Sequence, residues 1–232
     1  MGNLLLSSGM PGGGQVWHQS ELADAERKRR HGEGFCCMPA QIMAGSLVTV
    51  DFVFEIGETE IPQGGKLRVA WRWPFDWTEP ETMAVRSTSG EIGAVFEPKS
   101  DLNPWHHHIE LEAREGVLQR GDRVELRCEG WGAPTFATQD ACFLMLINPE
   151  GGRDWIRLID PMIYAVQPAE AVRMVAIAPS EGEVGEALEV RVRGEDRWGN
   201  PAPLDGKPVL EGAEVEAAGE ESDWHVHLFC AR

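Results

Sequence analysis

The amino-acid sequence predicts an all-β fold, in which a larger antiparallel β-sandwich precedes a smaller β unit. Three observations predict this class. From about residue 46 onwards, apolar and polar residues alternate with a period of two, as in strands that turn one face to a core. Clusters of Gly, Pro, Asn and Asp separate these runs, which is typical of short antiparallel strands joined by turns. The apolar share of 42% is sufficient to fill a core.

Residues 1–39 are predicted to form an N-terminal arm with one short helix. Ser20 is a suitable N-cap, acidic residues follow it, and basic residues occupy the last turn at positions 27–30. This order of charges suits the helix dipole, and Gly32 is expected to end the helix. The basic run indicates either a solvated helix end, which we favour, or a contact with a partner.

Residues 40–168 are predicted to form the sandwich domain. Four segments alternate between apolar and polar residues, so we expect each to be a strand with one face in the core and one in water. They are residues 46–56, 66–73, 108–114 and 122–128. Arg68, in the second of them, is expected to face water. Residues 141–147, ACFLMLI, are apolar on both faces, which predicts a central strand covered on both sides.

A change of composition near residue 168 predicts a second domain over residues 169–232, either complete or truncated. Its most informative stretch is RGEDRWGNPAPLDGKPV, which reads as a strand, a tight turn and a new strand. Gly199 and Asn200 adopt left-handed backbone angles at low cost, and Pro201 donates no backbone hydrogen bond. Asp196 is expected to hold the turn through its side chain. This D-x-x-G-N-P turn resembles that of bacterial immunoglobulin-like and filamin-like domains, which implies an immunoglobulin-like fold.

A second resemblance covers roughly residues 40–210. The motifs that carry it are GGKLRVAWRWPFDW followed by EP, then GVLQRGDRVELRCEG, and then the turn just described. They resemble the N-terminal β-sandwich and immunoglobulin-like region of a bacterial family of unknown function. Full-length members of that family carry a PHP-like (polymerase and histidinol phosphatase-like) metal-dependent hydrolase domain further along. The resemblance implies that this chain corresponds to the accessory β region.

The charge and the cysteines restrict the expected partners and compartment. The chain has 38 acidic and 21 basic residues and a formal net charge of −17, so we expect no binding to nucleic acid or to a membrane. The five cysteines match no zinc or redox spacing, and the adjacent Cys36 and Cys37 are poorly placed for a structural disulfide. A reducing compartment, the cytoplasm, is the expected location.

The segment NPWHHHIEL contains a candidate metal site. His106 and His108 lie on the same face of a predicted strand, where two imidazoles can bind a transition-metal ion if a third ligand approaches. The alternative is that these histidines form the solvent-facing start of a strand.

The closing segment DWHVHLFCAR also contains a histidine pair. His225 and His227 resemble the H-x-H that begins the metal site of PHP-like hydrolases. The alternation of the segment favours a plain strand instead, with Trp224, Val226 and Leu228 in the core and both histidines facing out.

Aromatic and acidic residues near the end of the second strand form a candidate ligand site. Asp76, Trp77 and Glu79 lie in the segment WRWPFDWTEPE, and Trp105 precedes the first histidine cluster. An exposed tryptophan beside carboxylates can stack on a sugar ring or another flat ligand. The alternative is that Trp77 closes the sandwich, because large aromatic residues frequently complete cores.

The expected function is that of a non-catalytic accessory or binding module. Such a module would present a loop face of the sandwich to a protein partner, a glycan or another small ligand, and would need no cofactor. A truncated second domain would leave an unpaired strand edge, through which we expect an oligomer. The alternative is a metal-dependent hydrolase or lyase that uses a divalent ion bound by His106 and His108.

Overall fold

The structure is a computed structural model that describes most of the chain. The described residues are 16–18, 24–72, 75–97, 105, 107–158, 160–183, 185–204, 213–221 and 224–231. Strands predominate among them, accompanied by one short helix, which confirms the predicted all-β class. No helix in these ranges is long and apolar enough to cross a membrane.

The chain divides into two compact units. The described residues of unit 1 fall within 1–42, 46–134 and 139–165, and those of unit 2 within 43–45, 135–138 and 166–232. Unit 2 therefore includes two short segments that are distant in sequence from its main body.

Unit 1 contains the helix and two β-sheets. Its elements in chain order are β1 (Val16–His18), α1 (Asp24–His31), β2 (Gly32–Cys37), β3 (Leu47–Ile56), β4 (Lys66–Trp71), β5 (Thr82–Ser87), β6 (Glu91–Glu97), β7 (His107–Glu115), β8 (Arg123–Gly132), β9 (Thr138–Asn148), β10 (Asp154–Arg157) and β11 (Met162–Val166). The larger sheet has the strand order β1-β10-β9-β4-β7-β6, and β11 also pairs with β9. The smaller sheet has the order β2-β3-β8-β5.

The two sheets face each other across an aromatic core. Trp131 on β8 stacks on Phe143 on β9, with ring centroids 5.7 Å apart. Phe52 on β3 and Trp71 on β4 pack edge-on against this pair, at 5.2 Å from Phe143 and 5.3 Å from Trp131 respectively. All four side chains are fully buried. Contact between the inner faces of two sheets defines a β-sandwich, as the sequence predicted.

Burial confirms the predicted faces of several strands. In β8, Val124 and Leu126 are buried while Glu125 and Arg127 are exposed. Every residue of β9 from 141 to 148 is buried, and β9 lies between β10 and β4. The prediction of a central strand covered on both sides is therefore confirmed.

The prediction for β4 is wrong on one face. Arg68 was expected to face water, but it is buried, and so is Ala70 on the same face. The reason is that this outer face of the larger sheet is also covered, since the Arg68 guanidinium lies on the Trp155 ring. Trp105 and Trp155 pack against Ala70 in a second apolar cluster, on the side of the sheet opposite to the aromatic core.

The helix ends where the sequence predicted. Helix α1 stops before Gly32, whose φ of 99° is in the left-handed region that favours glycine. The proposed cap, Ser20, lies outside the described residues. Arg29 near the helix end forms ion pairs with Glu26 and Glu58.

Unit 2 is built around a third sheet. Its strands are β12 (Arg173–Ile177), β13 (Ala187–Glu195), β14 (Pro201–Ala202), β15 (Ala213–Glu221) and β16 (Trp224–Ala231). The strand order is β12-β13-β16-β15, and β14 also pairs with β13.

A buried carboxylate organises the turn between β13 and β14. Asp196 is fully buried, and its Oδ1 accepts hydrogen bonds from the N–H groups of Trp198 and Asn200, each at 2.9 Å. Its Oδ2 accepts from the Ala169 N–H at 3.0 Å and from the Asn200 side-chain amide at 2.7 Å. Gly199 has a φ of 90°. The structure thus confirms that Asp196 holds the turn through its side chain.

Asn200 connects the same turn to a distant segment of the chain. Its Oδ1 accepts a hydrogen bond from the Ala137 N–H at 2.8 Å, and its Nδ2 donates to the Thr135 carbonyl at 2.9 Å. These bonds explain why residues 135–138 belong to unit 2.

Candidate functional site

Trp77 lies in the core of unit 1. The centroid of its ring is 4.4 Å from that of Trp131 and 5.5 Å from that of Phe143. Its Nε1 donates a hydrogen bond of 2.8 Å to the Tyr164 hydroxyl. The ring is buried, so a sugar could stack on it only by displacing core side chains. This position favours the alternative interpretation, in which Trp77 closes the sandwich.

The other predicted ligand-binding residues lie in different surroundings. Asp76 and Glu79 are exposed in the loop before β5, whereas Trp105 is buried in the second apolar cluster with Trp155. The structure therefore does not bring Trp77, Asp76, Glu79 and Trp105 together at one exposed surface.

One of the two predicted metal ligands is described. His106 lies outside the described residues, and His108 lies on β7 opposite Ala70 of β4. His108 is only 4% exposed, so it is not part of a solvent-facing strand start. It shares its side of the sheet with the second apolar cluster.

His108 belongs to a group of charged and aromatic side chains on that side of the larger sheet. We call Lys66, Arg68, His108, Glu110 and Trp155 the outer-face cluster. Glu110 accepts hydrogen bonds from Lys66 at 2.6 Å and from Arg68 at 2.5 Å. The guanidinium carbon of Arg68 lies 3.8 Å from the centroid of the Trp155 ring. The buried arginine is therefore paired with a carboxylate and also covered by an aromatic face.

Burial and charge determine the protonation of this cluster. Burial, assisted by the positive charge of Arg68, lowers the pKa of His108 to about 4, so its imidazole is neutral at pH 7. Burial alone would raise the pKa of Glu110, but the hydrogen bonds from Lys66 and Arg68 outweigh it and hold that pKa below its ordinary value. The geometry is that of an ion-pair network within a packed sheet face.

The cluster supplies few metal ligands. Within the part of the chain that the structure describes, no group of three or more His, Cys, Asp or Glu side chains is placed to hold a metal ion. The cationic groups of Lys66 and Arg68 also occupy both oxygens of the carboxylate nearest to His108. A divalent ion bound by His106 and His108 stays a prediction, because His106 is not described.

The predicted outward orientation is wrong for His227, which is buried, whereas His225 is half-buried. In the register of β16 with β13, His225 lies opposite Val192 and His227 opposite Val190. His227 is buried, whereas Trp224 is only half-buried. The alternation of the segment was recognised, but alternation does not determine which of its two faces is covered.

The most exposed apolar residues of unit 2 lie on and beside one strand at the end of its sheet. Among the described strands of that sheet, β12 is terminal and pairs with β13 alone. The side chains of Val172, Met174 and Ile177 are 66%, 55% and 54% exposed. Arg173, on the same strand, pairs with the carboxylate of Glu195 at 2.6 Å. An unpaired strand edge with exposed apolar side chains is a typical site for pairing with another chain.

Sequence reasoning predicted an unpaired strand edge but did not locate it. The spacing of Val175 and Ile177 predicts the start of a strand, but it does not predict the exposure of Val172 and Met174. One signal was available, since residues 171–180, AVRMVAIAPS, contain no acidic residue in a chain that has 38.

Comparison with known proteins assigns no family. No protein-family model matches the chain, and no curated protein matches it. The resemblance to the accessory region of PHP-like hydrolases gains no support from these comparisons and stays a prediction.

Several solved structures are similar to the chain at a low level. A cohesin module from a Clostridium perfringens family 33 glycoside hydrolase has a TM-score of 0.38 and 9% identity, covering 59% of this chain and 97% of that one. The C-terminal domain of the Streptococcus pyogenes antigen I/II-family protein AspA has a TM-score of 0.42 and 9% identity, covering 85% and 84%. A CBM3a-L domain from the scaffoldin cipA of Clostridium thermocellum has a TM-score of 0.34 and 14% identity, covering 58% and 93%. Similarity at this level defines neither a family nor a function.

Proposed function

We propose that this protein is a non-catalytic binding module whose strand β12 pairs with an extended segment of a protein partner. The observation that carries the proposal is the combination of a terminal strand and three exposed apolar side chains, those of Val172, Met174 and Ile177. Strand addition at a sheet edge is a common mode of peptide recognition.

The backbone of β12 provides the first part of the binding energy. In an antiparallel pair, alternate residues direct their N–H and C=O groups towards the neighbouring strand and the others direct them away. Pairing with β13 therefore uses only part of the backbone groups of β12, and the remainder point away from the sheet. An added strand would form hydrogen bonds with these groups.

The side chains of β12 provide the second part. Arg173, Val175 and Ile177 lie on one face of the sheet, and Met174 and Ala176 on the other, because successive residues of a strand alternate. A partner strand with apolar residues would bury the exposed members of both rows. The binding module would select an extended apolar segment rather than a helix or a charged loop.

Selection from a random-peptide display library against the full chain tests this proposal. We expect extended, apolar peptides, and we expect their binding to protect the β12 amides from hydrogen exchange. Met174→Lys should abolish that binding, because it places a charge in the apolar row. Val95→Lys is the matched control, since Val95 on β6 is 56% exposed, close to the 55% of Met174.

Two results would contradict the proposal. One is a selection that returns no binding peptide at a concentration where the chain is monomeric. The other is peptide binding that Met174→Lys leaves unchanged, because the peptides would then bind elsewhere on the protein.

A further inference from the structure

The outer edge of β12 has a charge and a side-chain pattern that suit antiparallel pairing with an identical strand. We infer that the segment bound by β12 is the β12 strand of a second copy of this chain, which gives a closed two-fold dimer. This inference rests on the proposed function, because it names the partner for the same strand edge.

Charge is the first argument for a second copy. Two molecules that each carry a net charge of −17 repel one another over most of their surfaces. Residues 171–180 contain no acidic residue, and their single charge, that of Arg173, is paired with Glu195 of the same molecule. Two copies can therefore approach each other along this segment without electrostatic repulsion between its side chains.

The second argument is the complementarity of β12 with itself. Antiparallel pairing about Val175 places Met174 opposite Ala176, so a long side chain meets a short one. It also places Arg173 opposite Ile177 of the second copy, where the aliphatic stem of the arginine can cover the isoleucine. Both faces of the strand would bury exposed apolar surface in this register.

The opposite edge of the sheet explains why the assembly would close as a dimer. Strand β15 at that edge has the sequence AEVEAAGEE, which contains four glutamates. Its pairing with β16 is interrupted by a register shift between Ala217 and Gly219. Acidic residues and bulges at an edge strand oppose pairing with another chain. Pairing through β12 alone uses the same surface on both copies, so it cannot propagate.

Sedimentation or light scattering across a dilution series of the full chain tests the inference. We expect a concentration-dependent doubling of mass, and Met174→Lys should raise the dimer dissociation constant by about tenfold or more. Val95→Lys, the control of equal exposure, should leave the dimer intact. A dimer that Met174→Lys does not weaken would overturn the inference.

A second pair of variants tests the register. Ile177→Glu should retain the dimer, because the new carboxylate would face Arg173 of the second copy, whereas Ile177→Lys should dissociate it. In a Cys37→Ser, Cys230→Ser background, Val175→Cys should be joined to its equivalent by a short thiol crosslinker, while Val95→Cys should not. Loss of the dimer in Ile177→Glu, or crosslinking at Val95→Cys alone, would overturn pairing about Val175.

The result also separates this inference from the proposed function. If the chain is monomeric at every concentration but library peptides still protect β12, self-pairing is wrong and strand addition stands. If the chain is monomeric and no peptide binds, both are wrong.

Discussion

Units 1 and 2 bury very different side chains. Unit 1 is filled by aromatic residues, among them Phe52, Trp71, Trp131 and Phe143, which are all fully buried. In unit 2, among the residues whose side chains the structure describes, the buried apolar residues are Ala44, Val166, Val192 and Ala202. Unit 2 also buries Glu195, Asp196, Asn200 and His227.

This difference indicates two ways of stabilising a β unit. Burial of large aromatic surface dominates in unit 1, where each aromatic side chain removes about 150–250 Å² of surface from water. In unit 2, hydrogen bonds converge on the buried Asp196 carboxylate, and Asn200, one of its donors, also bonds the distant Thr135 carbonyl.

The largest expected effect is on unit 1. Trp131→Ala should lower the free energy of unfolding by about 4 kcal/mol, because it leaves a large cavity between the two sheets. Urea unfolding followed by segment-resolved hydrogen exchange measures the loss for each unit separately. We expect the protection of β3 and β9 to fall. Val95→Ala, at an exposed site, should change the stability by less than about 0.5 kcal/mol. An equally small effect of Trp131→Ala would contradict the aromatic core.

Asp196→Ala tests the polar centre of unit 2. The change leaves the N–H groups of Ala169, Trp198 and Asn200 without their acceptor, and we expect a loss of about 3 kcal/mol. Hydrogen exchange of β13 and β14 should increase, while that of β3 and β9 stays unchanged. Glu189→Ala, an exposed change on the same strand β13, is the control. A uniform loss of protection across both units would contradict the inference that the two units are stabilised in different ways.

Acidification should affect the two units through different groups. The pKa of His108 is about 4 in the folded chain and about 6.5 in the unfolded chain. Between these two pH values the unfolded chain therefore binds more protons than the folded chain. Its contribution to stability is present above pH 6.5 and falls as the pH decreases, by about 2 kcal/mol between pH 7 and pH 5. Denaturation of unit 1 at a series of pH values measures this slope.

One variant tests the origin of that slope, and a second group titrates outside this pH range. His108→Gln should flatten it, because the titrating group is removed. In unit 2, burial favours a raised pKa for Asp196, but its hydrogen bonds hold the pKa below the ordinary value near 3.8. Asp196 therefore remains ionised between pH 7 and pH 5, and its contribution is lost only at more acidic pH. An unchanged slope in His108→Gln would exclude His108 as the cause.

The smallest expected effect concerns a close approach in unit 2. Gly45 has a φ of 64°, and a Cβ atom there would lie 2.0 Å from Cζ2 of Trp198. Gly45→Ala should lower stability by about 1 to 2 kcal/mol, because the backbone is strained and the Trp198 ring must move. Gly152→Ala is the control, since its Cβ would meet no atom within 4 Å. Thermal unfolding of the two variants compares the effects, and equal melting temperatures would contradict the contact.

The sequence by itself determined the local features of the structure. Alternation with period two predicted β3 and β8 and their buried faces, which contain Phe52 and Leu126. Successive side chains of a strand point to opposite faces, so a half-buried strand shows apolar and polar residues in turn. The double burial of β9 followed from its unbroken apolar run. The role of Asp196 was also predictable, since its hydrogen bonds to Trp198 and Asn200 span only two and four residues.

Only the tertiary structure decided which strands became neighbours. Arg68 and His108 are buried because the outer side of the larger sheet, which contains β4 and β7, is covered by other side chains. Alternation along one strand does not show whether its polar face is covered in this way. His227 is buried on the face that it shares with its cross-strand partner Val190, although alternation suggested the other face. The link from Asn200 to Thr135 joins residues 65 positions apart. Strand order and register arise from long-range packing, so they cannot be read from the period of a single segment.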